Sequence, residues 1–401
     1  MDADPEIVVE YGFDGGTPAR VERLGPRRFR LEPHACRPGP QWFHLCVQVR
    51  ADAAGPVTLE IDWPPGLCRE DLPPGLSEEE IHRRTDYDSF ARVLPACCVC
   101  RHENGAWEPV GGVSVDGDRV TASLEVRKGV TEFATQMPYR WADLEALLAQ
   151  VRQVRPDALR VIGASQAGLP IHAVTLGRRA DAPTVHLQAY QHATEFTGPH
   201  VADALIRHAL AHPDAPGELK LQVVPVVDVD ALFYGMPLVL QDAVTTSVRR
   251  VNINRCWDDR SWPEVAAVED LILERRREGA RFVAGLDFHN GWWKAQASGA
   301  CYTVLDPEEA GPELDARQRR LVEHLLASTD HERPGTTWCH KVEGTFSRWF
   351  HRATGGLGHT VEFSRHLWWN RARQAYEPAR PHHPAAYARD LLAALRAYDW
   401  S

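Results

Sequence analysis

Two segments near the start of the chain, WFHLCVQVRA (42–51) and VTLEIDW (57–63), alternate apolar and polar positions on either side of an AGP turn. That period of two predicts a pair of half-buried strands. The style continues through RVLPACCVCRH, AWEPVGG, RVTASLEVR and TEFATQM, with the turn signals ENG (103–105) and DGD (116–118) between them. Several short strands at this spacing predict an N-terminal antiparallel β-sandwich over residues 1–135. Within it, Pro64 to Asp88 is Pro-rich and charged and predicts a long exposed loop.

The pattern changes near Pro138. Trp141 to Val154 has the spacing of an amphipathic helix, and two strands follow, LRVIGA and PIHAVTLG, joined by the turn SQAGL. A buried-type strand TVHLQAYQ then leads to a helix beginning near Glu195. Strand LKLQVVPVV, helix WPEVAAVEDLILERRR, strand FVAGLDFH, helix DARQRRLVEHLLAS, strand HTVEFS and a last helix near Ala385–Tyr398 complete the order. Strands alternating with helices predict an α/β domain over 136–401, with a mixed sheet flanked by helices.

Composition narrows what such a chain does. Lys and Arg number 45 against 55 Asp and Glu, a net charge of −10, and an acidic balance argues against nucleic acid as a partner. No apolar run approaches the roughly 20 residues that a membrane span needs, so no membrane partner is expected. The opening MDADPEIVVEYGF lacks the basic and apolar regions of a secretory signal. Nine cysteines without disulfide-framework spacing predict reduced thiols and a cytoplasmic setting. Cys97, Cys98 and Cys100 form the densest group, and Cys98 and Cys100 share one face of a strand, where they pack as small apolar residues. Oligomeric state has no signature in the sequence.

Candidate chemistry sits at strand ends, where open α/β sheets bind their ligands. TVHLQAYQ runs into His192-Ala193-Thr194-Glu195, FVAGLDF into His289-Asn290, and HTV into Glu362. A His and a carboxylate three apart, completed by a distant His, match the His₂Glu set of a catalytic zinc with an open fourth position. With 19 His and 55 acids in the chain, the HxxE pair alone is weak. Its strand-end placement gives it weight. Glu362 fits the general base that a zinc hydrolase requires, and equally fits a surface position on an edge strand. Asn254-Arg255 before Trp257 suits a carboxylate clamp, because the guanidinium fork matches a carboxylate.

These residues, in this order, resemble the zinc carboxypeptidase family over most of residues 136–401. FATQMPYRWADLEALL, VIGASQAGLPIHAV, SWPEVAAV and EGTFSRWFHRATGG before HTVEFS are similar to its cytosolic branch, which carries a β-sandwich ahead of the catalytic domain. The resemblance implies one zinc per chain held by His192, Glu195 and His289. It implies Glu362 as general base and acid, and Asn254 with Arg255 as the binder of a substrate carboxylate. It also implies Arg348 near the pocket for the leaving residue.

Three positions depart from the family pattern. His351 stands where a carboxylate-capping Tyr is expected. Asn252 stands where an Asp would orient a zinc-bound His from the second layer. The stretch after Asp230, FYGMPLVLQ, lacks the expected oxyanion-stabilising Arg, with Arg249 and Arg250 as substitutes from another place. Metal set and base are intact while the substrate-facing residues differ, which predicts a changed substrate. The expected activity is removal of a C-terminal residue, acidic by analogy with the branch, from a peptide or protein. Arg348, Arg352 and Arg365 are candidate pocket cations. A deacylase acting on a small carboxylate-bearing metabolite is the alternative, and a non-catalytic zinc-binding interaction protein is a third.

Overall fold

The computed structural model describes residues 6–33, 44–62, 97–103, 105–116, 119–179, 181–240, 253–290, 302–331, 337–340, 343–365 and 367–400. The whole of the expected Pro64–Asp88 loop, together with Asn252, Arg249 and Arg250, lies outside them.

The N-terminal portion contains β1 (Ile7–Glu10), β2 (Ala19–Gly25), β3 (Arg28–Pro33), β4 (Cys46–Ala51), β5 (Gly55–Asp62), β6 (Val99–His102), β7 (Glu108–Pro109), β8 (Gly112–Asp116), β9 (Arg119–Val126) and β10 (Gly129–Ala134). They form two five-stranded sheets, ordered β1-β4-β10-β6-β7 and β2-β3-β5-β9-β8. Pairing is antiparallel except between β3 and β5, which run parallel. Alternation along β9 buries Val120, Ala122, Leu124 and Val126. These meet Val47, Val49 and Phe133 of the other sheet in one core. Each fully buried Val or Leu contributes about 1.5–3 kcal/mol by leaving water. Cys98 lies in this core and Cys100 packs against it. Burial raises both thiol pKa values, which suits inert apolar packing.

The second portion runs α1 (Trp141–Val154), β11 (Leu159–Ala164), β12 (Pro170–Leu176), β13 (Thr184–Ala189), α2 (Thr197–Ala211), β14 (Lys220–Val224), α3 (Val229–Leu240) and α4 (Pro263–Arg277). It continues with β15 (Phe282–Asn290), β16 (Tyr302–Leu305), α5 (Pro307–Ser328), β17 (Thr337–His340), α6 (Phe346–Thr354), β18 (Leu357–Phe363), the pair β19 (Leu367–Asn370) and β20 (Ala375–Pro378), and α7 (His382–Ala397). Eight strands form one mixed sheet, ordered β11-β12-β14-β13-β15-β18-β16-β17. Its centre is parallel: β14, β13, β15 and β18 all point the same way.

Helices cover both faces of this sheet. Val201 and Leu205 of α2, Leu321 and Leu325 of α5 and Leu391 of α7 pack on Val185, Leu187, Leu286 and Val361. On the other face, Val265 and Val268 of α4 and Phe346 and Phe350 of α6 share a core with Ile171 and Val224. All nine residues of β15 are buried, as expected of a strand covered on both faces. Gly285 is required there. A Cβ at this position would meet the Phe350 ring at 2.8 Å, so its absence lets α6 lie directly on the strand.

Chain order reverses direction around β13. The connection after it leads to β14 on one side, and the next strand of the parallel core, β15, pairs on the other. Such a switch point opens a crevice at the carboxyl ends of the two flanking strands.

Candidate metal centre

His192 and Glu195 follow β13 directly, and His289 is the eighth residue of β15. Parallel pairing sets Ala189 beside Phe288, so the segment leaving β13 passes over the end of β15. The three side chains converge there, with one ligand-type atom from each lying within 4.8 Å of the others. His289 Nδ1 is 2.9 Å from Glu195 Oε2 and 3.2 Å from His192 Nδ1. His192 Nδ1 is 3.2 Å from Glu195 Oε1. Among the described residues this is the one such group of three.

The surroundings fit a cation. His289 Nε2 lies 2.7 Å from Asp287 Oδ2. A carboxylate accepts, so in the neutral, metal-binding form of the ring the proton belongs on Nε2, and Nδ1 turns a lone pair toward His192 and Glu195. Two imidazole nitrogens and a carboxylate facing one another in a buried pocket are three acceptors in need of a shared positive charge. The donor set, two N and one O, suits zinc.

Asp287 is fully buried and held by other polar side chains. Gln188 Nε2 donates to its Oδ1 at 3.1 Å, and Gln191 donates to its Oδ2. Gln191 is fixed in turn by the Trp257 indole N–H, 2.9 Å from its Oε1. Gln188 accepts from His186 Nε2 at 3.2 Å, and His186 Nδ1 accepts from Gln222 at 3.1 Å. Burial lowers the His186 pKa to about 4, which keeps the ring neutral and able to donate and accept at once. This polar row lies beneath α6, where His186 faces the Phe346 and Phe350 rings.

Strong fields act on the cluster. Burial alone would raise the Glu195 pKa, but His192 and His289 outweigh it and hold the carboxyl well below the usual range. Burial likewise opposes charge on His289, and Asp287 and Glu195 overcome it to raise that pKa. Glu362 pairs in register with His289 across β15 and β18. Strand neighbours lie about 4.8 Å apart with side chains on the same face. Burial, with Glu195 and Asp287 nearby, pushes Glu362 up to about 7 against the pull of His289 and Arg365. Its Oε2 is buried without a hydrogen-bond partner among the described residues.

The other anticipated residues divide between the cluster and elsewhere. Asn254, in a short helical turn at Ile253–Arg255, is buried with its Nδ2 3.4 Å from His289 Nε2. Its Oδ1 accepts from the Phe346 N–H at 2.9 Å, which ties this turn to the start of α6. Arg255 is exposed, with Nη1 donating to the Asn254 carbonyl at 2.6 Å. Gly344 (φ 71°) packs on the Arg255 backbone, where a Cβ would come within 2.3 Å of its carbonyl oxygen. Arg348 forms ion pairs with Glu309 at 2.6 Å and Glu343 at 3.7 Å. Arg352 pairs with Asp258 at the surface.

His351 is not brought to the cluster. It sits in the last turn of α6, 2.9 Å from the Gly356 carbonyl, and Gly356 abuts the carbonyl of Phe282 at the start of β15. His289 is seven residues further along that strand, about 23 Å away at 3.3 Å per residue. His351 therefore lies far from the three ligands, not where a residue in place of the carboxylate-capping Tyr would stand. Helix α6 runs from the site toward the opposite edge of the sheet, and His351 is at its far end.

Sequence reasoning missed Asp287, Gln191 and the supporting role of Trp257. The signal for Asp287 was present in LDFH, because two residues apart on a strand means the same face. Asn252 was expected in that orienting role. It lies outside the described residues, and the carboxylate that meets His289 is Asp287. Arg365, one of three anticipated pocket cations, is buried with Nη2 3.9 Å from Glu195 Oε1.

Residues 144–286 match the sequence model of a family described as zinc carboxypeptidase. That segment includes His192 and Glu195 and stops three residues before His289. The metallo-carboxypeptidase from Burkholderia cenocepacia has a similar structure, with a TM-score of 0.73 at 18% identity, over 97% of this chain and 98% of that one. The metallo-carboxypeptidase from Pseudomonas aeruginosa, solved in complex with (2-guanidinoethylmercapto)succinic acid, is also similar. Its TM-score is 0.71 at 18% identity, covering 97% of this chain and 98% of the other. At such identities the likeness is one of fold, and it extends through the N-terminal sheets. No curated protein sequence matches the chain. Among the described residues, no helix is long and apolar enough to cross a membrane.

Proposed function

We propose that the chain is a cytoplasmic metallocarboxypeptidase of the cytosolic branch, which removes a C-terminal residue from a peptide or protein. In this reading a sandwich domain of residues 1–135 precedes a catalytic domain of 136–401. His192, Glu195 and His289 hold one zinc per chain. The observation that carries the reading is the convergence of two imidazole nitrogens and a carboxylate at the ends of adjacent parallel strands, with Glu362 the register partner of His289 on the next strand. Bound zinc supplies a Lewis acid that polarises the scissile carbonyl and acidifies water.

The protein groups do the rest. Asp287 fixes the His289 ring through Nε2, so that Nδ1 stays unprotonated and aimed at the cluster. Glu362 accepts the proton of the attacking water and returns it to the leaving amine. Its Oε2, buried and unpartnered among the described residues, favours this role, because a carboxylate already committed to hydrogen bonds would be a poorer base. Asn254 and Arg255 bind the terminal carboxylate of the substrate. The exposed position of Arg255 next to a buried Asn254 suits a group that meets ligand from the solvent side. That the similar Pseudomonas aeruginosa protein was solved with a succinic acid derivative supports a carboxylate-bearing ligand here. An acidic leaving residue is the substrate we favour, with Arg365 the cation best placed to select it.

The test is a panel of peptides differing in the C-terminal residue, incubated with zinc-loaded protein and read by mass spectrometry. Loss of one terminal residue, fastest for Glu or Asp, is expected. Glu362→Gln should lower kcat at least about 10²-fold with zinc retained. Release of an acyl group from a small N-acyl amino acid, with every peptide left intact, would replace the peptidase reading.

A further inference from the structure

The turn that carries His192 and Glu195 is held in an unfavourable backbone conformation by two buried side chains, one of which, Gln136, has no part in the proposed chemistry. Thr194, between the two, has φ of 69°. A β-branched residue in the left-handed region is a genuine outlier, since its Cβ crowds the backbone there. Such a conformation persists only where the surroundings over-determine it.

Two buried donors do so. Gln136 Nε2 and Arg365 Nη1 each donate to the Thr194 carbonyl oxygen at 2.8 Å. Both side chains are buried, and together they occupy both lone pairs of that oxygen. Rotating the Thr194–Glu195 peptide out of this arrangement would strand two donors in the interior, which is costly. Arg365 reaches the turn from just beyond the strand that bears Glu362.

Gln136 is the first residue after the sandwich, two beyond the end of β10. Its neighbour Thr135 is tied to β4's approach by a reciprocal pair, the Thr135 N–H to the Leu45 carbonyl at 2.9 Å and the Leu45 N–H to the Thr135 hydroxyl at 3.0 Å. The sandwich makes a second contact on the same turn: His44 meets Phe196, the residue after Glu195, edge to face at 4.8 Å. Segments flanking β4 and β10 therefore touch the metal-binding turn at two points.

We propose that Gln136, with Arg365, is a positioning residue: it clamps the Thr194 carbonyl and thereby holds His192 and Glu195 in the convergent geometry that binds metal. The sandwich domain is then part of the metal site's support. This rests on reading His192, Glu195 and His289 as the ligands. Without the clamp, Thr194 relaxes toward negative φ, the turn opens, and the two ligands no longer meet His289 at the same point.

The test measures zinc affinity of the full chain by competition with a chromophoric chelator. Gln136→Met removes the donor and keeps the volume. Gln136→Asn keeps an amide that is too short to reach, and serves if the first variant folds poorly. Each is expected to bind zinc about tenfold or more weakly than the parent, the usual effect of losing an outer partner of a metal ligand. In a Thr194→Gly background the loss should shrink, because glycine adopts positive φ without the steric cost. Parental zinc affinity in both Gln136 variants overturns the clamp, as does an equal loss in the parent and the Thr194→Gly backgrounds. A fall in melting temperature of the zinc-free protein with affinity intact would assign Gln136 a merely structural role and likewise overturn it. Failure of the ligand reading is distinct: there the parent itself, and His289→Ala, would take up zinc alike.

Discussion

Strands β15 and β18 have one character at their carboxyl ends and another at their amino ends. At the carboxyl end, Asp287, His289 and Glu362 are packed among Gln188, Gln191 and Asn254, a dense buried polar cluster. At the amino end, Phe282 meets Phe350 edge to face at 5.8 Å, and glycines 355 and 356 close the turn into β18. The same helix, α6, touches both: Phe346 anchors on Asn254 and His351 ends beside Gly356. Burying ionisable groups without exact partners costs several kcal/mol. A fold tolerates that cost at one edge, where function requires it, and uses apolar contact at the other.

The sharpest way to break this contrast is to remove a polar group at the carboxyl end. His289→Ala should abolish both zinc binding and hydrolysis, since a two-ligand site retains zinc poorly. Metal analysis after chelator treatment would reveal it, and full zinc retention would relocate the site. Asp287→Asn should be milder, about 10–100-fold weaker in zinc affinity, because an amide orients the ring without the charge that strengthens its lone pair.

A third test moves along the same edge, away from the metal. Glu264, at the start of α4, accepts from the Gln166 N–H at 2.9 Å and is otherwise enclosed, so burial raises its pKa to about 7. The folded state then binds more protons than the unfolded one between roughly pH 4.5 and 7. Stability contributed here falls as pH rises through that window and is level above it. Glu264→Gln keeps the acceptor and removes the charge. It should be more stable than the parent by on the order of 2 kcal/mol at pH 8, with the gap closing by pH 4. Denaturant unfolding at both pH values checks the sign. At the amino end, His351→Ala should leave zinc affinity and kcat/KM unchanged within about twofold, as surface substitutions away from special features do. A large loss would mean that the two ends communicate.

Legibility followed the same division. The central strands were readable because double burial leaves long apolar runs such as FVAGLDFH, and the ligand residues were readable because each stands where such a run ends. Helices α3 and α6 escaped. FYGMPLVL carries no polar face to give a period, and FSRWFHRAT is too short for one. Strands β2 and β3 were missed because Arg and Glu crowd their exposed faces, as in ARVERLG. The place of His351 was not readable because a position in a family pattern says nothing about which end of a helix faces the site. Gln136 and Thr194 are 58 residues apart, and no periodicity links them.

The register of His289 against Glu362 has a consequence for how this protein can vary. Both side chains stem from one rung of a parallel ladder, on adjacent strands locked by main-chain hydrogen bonds. Amide protons of 284–290 should be among the slowest in the molecule to exchange with solvent, since only global opening frees them. The separation between proposed base and proposed ligand is thus a fixed length, insensitive to substitution in the surrounding loops. A lineage can rebuild everything that touches substrate and keep that length, so new specificities are reached without re-evolving the reaction.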